Sequence, residues 1–289
     1  MNDKLFEGLE DWIGKTRTTK AVIDARQAEL MNATMAGRVS ANGICKLRQG
    51  AALPHGWHWA WFGEARPASE LGRDGHPARG GFMPPIALPR RMWAGSRLQF
   101  HQPLRIGMTA IRRTTIASII PKRGRSGDLV FLTLLHEISE GSTLLVSEEQ
   151  DLVYRADPSE AAPPTMPQQP PSRASSAISR LVEPDPVWLF RYSALTFNGH
   201  RIHYDADYAR NVEGYPGIVF HAPLTATLLM DLARESLDVQ WLREFSFRAV
   251  SPLFVDTPFS IRAVSGETTA NIWAETPDGN LAIIADASA

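Results

Sequence analysis

Apolar and β-branched residues gather in three stretches of the first half of the chain, Thr109–Ile120, Asp128–Ser139 and Ser142–Arg155. Polar, turn-forming segments break them, Lys122-Arg123-Gly124-Arg125-Ser126-Gly127 and Glu140-Gly141, so the pattern predicts three long antiparallel strands. The rhythm returns near the end in Glu244–Ala249, Pro258–Ser265, Thr269–Glu275 and Leu281–Ala285, with Gly266 and Pro277-Asp278-Gly279-Asn280 as turns. Pro103-Leu104-Arg105-Ile106-Gly107 opens the first strand set as Pro252-Leu253-Phe254-Val255-Asp256 opens the second. Helical spacing of apolar residues predicts one helix over Pro223–Glu235, through Leu224, Thr227, Leu228 and Met230-Asp231-Leu232, and a counterpart over Thr18–Met35. Trp57, Trp59 and Trp61 alternate with His58 and Ala60, the period of a strand with one aromatic face. Trp188-Leu189-Phe190-Arg191-Tyr192 is aromatic and extended in character, and Asp205–Arg210 reads as a short helix with an acidic first residue.

Eight of the chain's 21 prolines fall between Ala156 and Pro186, among Ser, Gln and Ala. Proline lacks an amide donor and fixes φ, so this stretch predicts an extended linker between a first half, 1–155, and a second, 187–289. Two halves of ordinary domain size suit a chain of 289 residues. Periodicity alone supports an α+β class with segregated elements.

Charge narrows the range of partners. Thirty basic against 31 acidic residues leave a net charge of -1, so no global field draws the chain to nucleic acid or an anionic membrane. A small-molecule substrate fits better. The lone Cys45 excludes an internal disulfide and has no zinc or redox spacing around it, and reads as a reduced, buried thiol. The charged start, Met1-Asn2-Asp3-Lys4-Leu5-Phe6-Glu7, argues against a secretory signal, and no apolar run approaches the ~20 residues of a membrane span, so a cytoplasmic location is expected.

The chemistry concentrates in Phe197-Asn198-Gly199-His200-Arg201-Ile202-His203-Tyr204-Asp205, where two imidazoles, an amide and a carboxylate sit between two ordered runs. Histidine titrates near neutrality and serves as acid or base with little perturbation. Asp205 fits an N-terminal helix residue better than a catalyst, because a carboxylate there offsets orphan backbone donors. His200 and His203 with Asp205 and His221 could supply metal ligands, but no longer ligand motif or cysteine cluster supports them, and no metal is expected.

With Tyr208, Glu213-Gly214-Tyr215-Pro216-Gly217 and Val219-Phe220-His221-Ala222-Pro223-Leu224, the segment from Ser193 to Asp205 resembles the MaoC-like hot-dog hydratase/dehydratase superfamily. The resemblance points to the branch of mesaconyl-C4-CoA hydratases and mitochondrial-type 3-hydroxyacyl-thioester dehydratases. His58-Trp59-Ala60-Trp61-Phe62, Ser69–Pro77 and Phe82–Gly95 extend it over the first half. It implies a double hot-dog fold, each half a curved antiparallel sheet around a long helix. The implied function is hydration of a 2,3-enoyl-CoA without a cofactor, on a branched C5 dicarboxylic acyl group such as mesaconyl-C4-CoA or itaconyl-CoA. A 3-hydroxyacyl thioester of fatty acid metabolism is the runner-up; a hot-dog thioesterase and a non-catalytic acyl-CoA binder are the rivals from other classes. A homodimer is compatible with the resemblance.

Carried over residue by residue, His203 takes the position of the catalytic histidine and Asn198 that of the catalytic aspartate, with His200 between them. An amide cannot take up a proton as a carboxylate can, so Asn198 could orient water but not act as base. His221 and Ala222 stand just before the helix predicted from Pro223, where a backbone donor could polarise the thioester carbonyl. The alternative for His221 is simple capping or packing. Arg90, Arg91 and Trp93 are candidates for substrate contact, since guanidinium forks suit phosphates and carboxylates; solvated arginines fit the sequence equally. The first half is expected to shape the acyl pocket and the second to carry the chemistry.

Overall fold

In the computed structural model the described residues are 7–124, 127–157 and 177–289. Ten antiparallel strands form one sheet: β1 (Thr16–Val22), β2 (Arg90–Phe100), β3 (Thr109–Gly124), β4 (Gly127–Glu140), β5 (Thr143–Arg155), β6 (Ile178–Val182), β7 (Glu244–Ala249), β8 (Phe259–Ser265), β9 (Thr269–Glu275) and β10 (Leu281–Ser288). Their order is β1-β3-β4-β5-β2-β7-β10-β9-β8-β6. Read outward from the central β2/β7 pair, both halves run through the same sequence of strands. The halves meet where Gly95–Gln99 pairs with Arg248–Glu244. A Cβ on Gly95 would lie 2.3 Å from the Phe247 carbonyl oxygen, so that seam closes only on a bare backbone.

Four helices complete the fold, α1 (Ala25–Met35), α2 (Pro186–Thr196), α3 (Ala206–Asn211) and α4 (Ala222–Leu237). α4 is the core element: Leu224, Leu228, Leu229, Met230 and Leu232 are fully buried, and the helix packs on β7 to β10. Truncating a leucine such as Leu228 to alanine should cost about 2–5 kcal/mol. Its buried carboxylate is satisfied, because Asp231 accepts from Ser40, Arg180 and Arg234. Asp238, in the left-handed region at φ 53°, ends the helix. The first half's sheet is covered differently: the segment holding Met83, Ile86 and Leu88 packs on Ile116, Val130, Leu132 and Tyr154.

Several predicted elements take another form. Thr18–Met35 is not one helix; its start belongs to β1, an edge strand whose Thr-rich alternation pairs with β3, and α1 begins only after Asp24, whose side chain accepts from Gln27 N–H. Trp57–Ala60 is a 3-10 turn rather than a strand, entered through Gly56 at φ 80° and packed so tightly on α4 that a Cβ there would lie 2.6 Å from Met230 Cε. The aromatic run Trp188–Tyr192 lies in α2, nucleated by Asp185 accepting from Trp188 N–H and by Pro186 in the first turn. Within the predicted linker, Ile178–Val182 is strand β6 paired with β8. The linker's proline-rich centre and Arg125 lie outside the described residues. Asp205 caps α3 as expected, accepting from Tyr208 N–H at 2.9 Å. Among the described residues no helix is long and apolar enough to cross a membrane.

Candidate active site

α2 ends abruptly. Phe197 adopts φ 52°, and the amide of Asn198 turns back to the Ser193 carbonyl, so the chain leaves the helix directed at the first half. There Gly199 meets Gly75. A Cβ on Gly75 would lie 2.0 Å from the Gly199 oxygen, and one on Gly199 2.7 Å from the Gly75 oxygen. Arg201 locks the junction: its amide donates to the Asp74 carbonyl at 2.9 Å, while its guanidinium reaches the Arg73 carbonyl and the Asp205 carboxylate.

This junction borders a cavity of about 380 Å³, the size of a small-molecule site. Asn198, His200, His203, Ala222, Arg91 and Trp93 all line it. His203 Nδ1 lies 2.8 Å from the Val219 carbonyl. A carbonyl only accepts, so Nδ1 carries the proton and Nε2 is left as the lone-pair nitrogen. Burial pulls this imidazole down to about 4, with the Val219 bond opposing. Burial likewise holds His200 well below its usual range, with His203 and Arg91 adding to it, and its Nε2 is buried with no hydrogen-bond partner among the described residues. Asn198 Oδ1 accepts the His200 amide at 3.1 Å, fixing the turn as an aspartate would but without its charge.

His221 is fully buried behind His203, their rings stacked at 3.7 Å. Its Nε2 meets Ser193 Oγ at 2.8 Å, and it precedes α4 without capping it by its side chain. The uncapped helix start faces the cavity through Ala222, Pro223 and Thr225.

The two arginines part company. Arg90 is 5% exposed and its Nε donates to Glu213 at 2.6 Å, with Tyr208 on the same carboxylate, so it pins the 213 loop to β2 instead of facing substrate. A buried cation needs such a partner. Arg91, the next residue on the strand, points the other way into the cavity and forms no ion pair among the described residues. Trp93 lines the wall, held by Nε1 donation to Ser96 Oγ and the Gly95 carbonyl.

The first half also supplies polar groups that sequence reasoning missed. Glu148 accepts from Ser96 at 2.7 Å and Trp59 at 2.9 Å, with His58 Nε2 at 3.4 Å. Burial pushes its carboxyl up, but the bonds from His58 and Ser96 and the neighbouring imidazoles bring it down to about 2. His136 joins Thr114 and Gln150, and burial takes it down to about 4. Arg17, Glu64 and Arg112 complete this charged end of the same cavity. His76 lines the other end, and Asp74, His76 and His200 present polar atoms within 4.8 Å of one another, a set that could hold a cation. No short sequence motif links these residues; only the polar insertions in apolar strands, such as Glu148 in β5, could have flagged them. A larger open cleft of about 1000 Å³, with Lys46, Arg48, Arg105 and Arg243 on its walls, holds none of the site residues predicted above.

A family model for hydroxyacyl-thioester dehydratase type 2 matches residues 56–255. The chain is 46% identical over 277 residues to a mesaconyl-C(4)-CoA hydratase of Chloroflexus aurantiacus, covering 95% of each chain. In structure it resembles a MaoC-like dehydratase from Phytophthora capsici, with TM-score 0.71 and 14% identity over 96% of this chain and 98% of that one. It also resembles a Mycobacterium tuberculosis protein described as a double hot-dog fold, with TM-score 0.56 and 13% identity over 96% of each. The expected double hot-dog fold is therefore the one observed.

Proposed function

The chain belongs to the hydroxyacyl-thioester dehydratase type 2 family and is a hydro-lyase, and from that premise we propose that it adds water reversibly to a 2,3-enoyl-CoA whose acyl group is a short dicarboxylate. A branched C5 unit such as mesaconyl-C4-CoA or itaconyl-CoA is the substrate we assign. The observation that carries this reading is Arg91, a guanidinium without a carboxylate partner among the described residues, on the wall that also holds His200 and His203. In a short diacid the distal carboxylate sits within a few bonds of the reacting carbons, so its counter-ion has to stand beside the catalytic groups. A charge-assisted pair there contributes about 1.5–3 kcal/mol.

In the hydration direction, His203 Nε2 takes a proton from water as the water oxygen bonds to C3. Neutral at pH 7, this imidazole is in the accepting form. The π electrons move to C2 and onto the thioester oxygen, for which the Ala222 amide at the start of α4 is the donor. Proton delivery to C2 then restores the thioester. Asn198 keeps the loop in shape and its amide orients the water. His221, held by Ser193, backs the ring of His203. The second half thus carries the chemistry, and the first shapes the acyl pocket.

A monocarboxylic 3-hydroxyacyl thioester is the alternative that the family description favours. The far end of the cavity speaks against a long alkyl chain, because the partly exposed charges of Arg17 and Glu64 would lose hydration against it. Assaying the purified protein with mesaconyl-C4-CoA, itaconyl-CoA, crotonyl-CoA and trans-2-decenoyl-CoA tests the choice. The dicarboxylic thioesters are expected to show the highest kcat/KM; a preference for decenoyl-CoA would reverse the assignment.

A further inference from the structure

α4 has a hollow at each of its ends. Ala222, at its start, lines the histidine-lined cavity, and Arg234, about 18 Å further along the helix, lines the open cleft of about 1000 Å³. The two hollows share no lining residue among those described. The seam between the halves accounts for the pair. Gly95–Gln99 runs antiparallel to Arg248–Glu244, so the start of β2 lies beside the end of β7, and the end of β2 beside the start of β7. The cavity takes Arg91 and Ala249–Leu253 from the first junction, and the cleft takes Gln99–Pro103 with Arg243 and Glu244 from the second. Pro252 and Pro103, which open matching strand sets, stand at corresponding places on the two walls. The cleft is the pseudo-symmetric counterpart of the cavity.

Its walls carry a different chemistry. Lys46, Arg48, Arg105 and Arg243 are exposed along it, and Glu244 is the one carboxylate among the described lining residues. Lys46, Arg48 and Arg243 form no ion pair among the described residues, and Arg105 spends one nitrogen on the Gly50 carbonyl at 2.9 Å. One sign of charge on a concave wall focuses its field on an anion. Two lining side chains are also buried and incompletely paired. His55 is 5% exposed and Arg234 6%, and His55 Nδ1 and Arg234 Nε have no hydrogen-bond partner among the described residues. The Arg234 and Glu235 carbonyls at the end of α4, which would repel an anion, are taken up by the amides of Asp238 and Val239. Beside the cations stands an aromatic wall, where the half-buried Trp241 sets its ring 4.4 Å from His55 and 6.0 Å from Phe100.

We propose that this cleft is a second, non-catalytic binding site that takes an adenosine diphosphate group, with the phosphates held by Arg48, Arg105 and Arg243 and the purine stacked on Trp241. Guanidinium forks match phosphate oxygens, and an aromatic face accepts a base through stacking. A diphosphate brings the several negative charges that a wall of exposed cations can neutralise, and the ring beside them selects a nucleotide over a bare anion. The group arrives as a free nucleotide or as the nucleotide end of a coenzyme A thioester, and the same chemistry recognises both. The site stands apart from the reaction at the other end of α4 and holds whichever thioester is turned over there.

Calorimetric titration of the full chain with ADP tests this. ADP should bind, more weakly as salt rises, and Arg48→Ala combined with Arg243→Ala should weaken it about 10- to 100-fold. Both side chains are exposed, so the melting temperature should hold. Trp241→Leu should weaken ADP by about fivefold or more and leave pyrophosphate within about twofold. Absence of ADP binding would overturn the proposal, as would binding that the double arginine variant leaves intact. Equal affinity for ADP and pyrophosphate, insensitive to Trp241→Leu, would reduce the cleft to a general anion site and overturn the nucleotide assignment. Coenzyme A separates the two sources, and either result upholds the site. Two equivalents bound by the wild type and one by the double variant would identify the coenzyme as the ligand, whereas one equivalent in both, with ADP still lost in the double variant, would identify a free nucleotide.

Discussion

One cavity contains two histidine clusters, and they differ in what surrounds the rings. In the first half, His58 and His136 are tied into a hydrogen-bonded net around an ionised Glu148, with Trp59, Ser96, Thr114 and Gln150 occupying the remaining positions. In the second, among the described residues, His200 and His221 each keep a buried ring nitrogen without a partner, His203 is fixed only through Nδ1, and the position for a carboxylate holds Asn198. His136 has both ring nitrogens engaged and His58 faces the Glu148 carboxylate through Nε2, as structural posts do, whereas a ring with an open lone pair can move a proton. On the proposed mechanism, structure falls to one end of the cavity and chemistry to the other.

The largest effect should come from removing the open lone pair. His203→Ala is expected to lower kcat by about 10²–10⁴ with melting close to the wild type's, because a positioned base contributes that much. Near-normal turnover would erase the contrast between the clusters.

The opposite pattern should follow at the other end. Glu148→Gln is expected to cost on the order of 2–3 kcal/mol of stability, leaving buried donors poorly matched, while kcat changes less than about tenfold. Acid should act on both ends. His203 and His136 are drawn from 6.5 down to about 4 in the folded protein, so their neutral forms contribute stability that is complete above pH 6.5 and lost as pH falls towards 4. Glu148, drawn from 4.5 to about 2, adds stability present above pH 4.5 and lost below it. Melting temperature should therefore begin to fall near pH 6.5, and a decline that starts only below pH 4.5 would show that the histidines are not buried in their neutral form.

A smaller, selective effect is expected at the wall between the clusters. Arg91→Met should reduce kcat/KM for mesaconyl-C4-CoA about 10- to 100-fold more than for crotonyl-CoA, since only the diacid loses a charge-assisted pair. Equal losses would make Arg91 a contact to the coenzyme. Smallest of all, Asn198→Asp should keep activity within about threefold, because Oδ1 still accepts the His200 amide and only the charge is new. Complete loss would show that the rings cannot tolerate a carboxylate beside them.

The long strands were legible because their apolar runs are bounded by turn residues, and α4 because its period is helical. The segment from Asn198 to His203 was legible through its motif. The choice between Arg90 and Arg91 was not, since neighbours on a strand point to opposite faces and only the pairing register of β2 decides which one meets Glu213. α2 was obscured by its aromatic residues, although Asp185 and Pro186 form a legible helix start. His76, Glu148 and His136 come from separate loops and strands, and nothing short of the sheet order brings them to one cavity.

On the proposed mechanism the open imidazole cluster adds water to a conjugated thioester without cleaving it. Mixing the purified protein with mesaconyl-C4-CoA and following enoyl absorbance together with free thiol tests this most directly. The enoyl band is expected to bleach to an equilibrium with no thiol released, and not to bleach in His203→Ala; thiol release, or an unchanged spectrum with bound thioester, would rule the mechanism out.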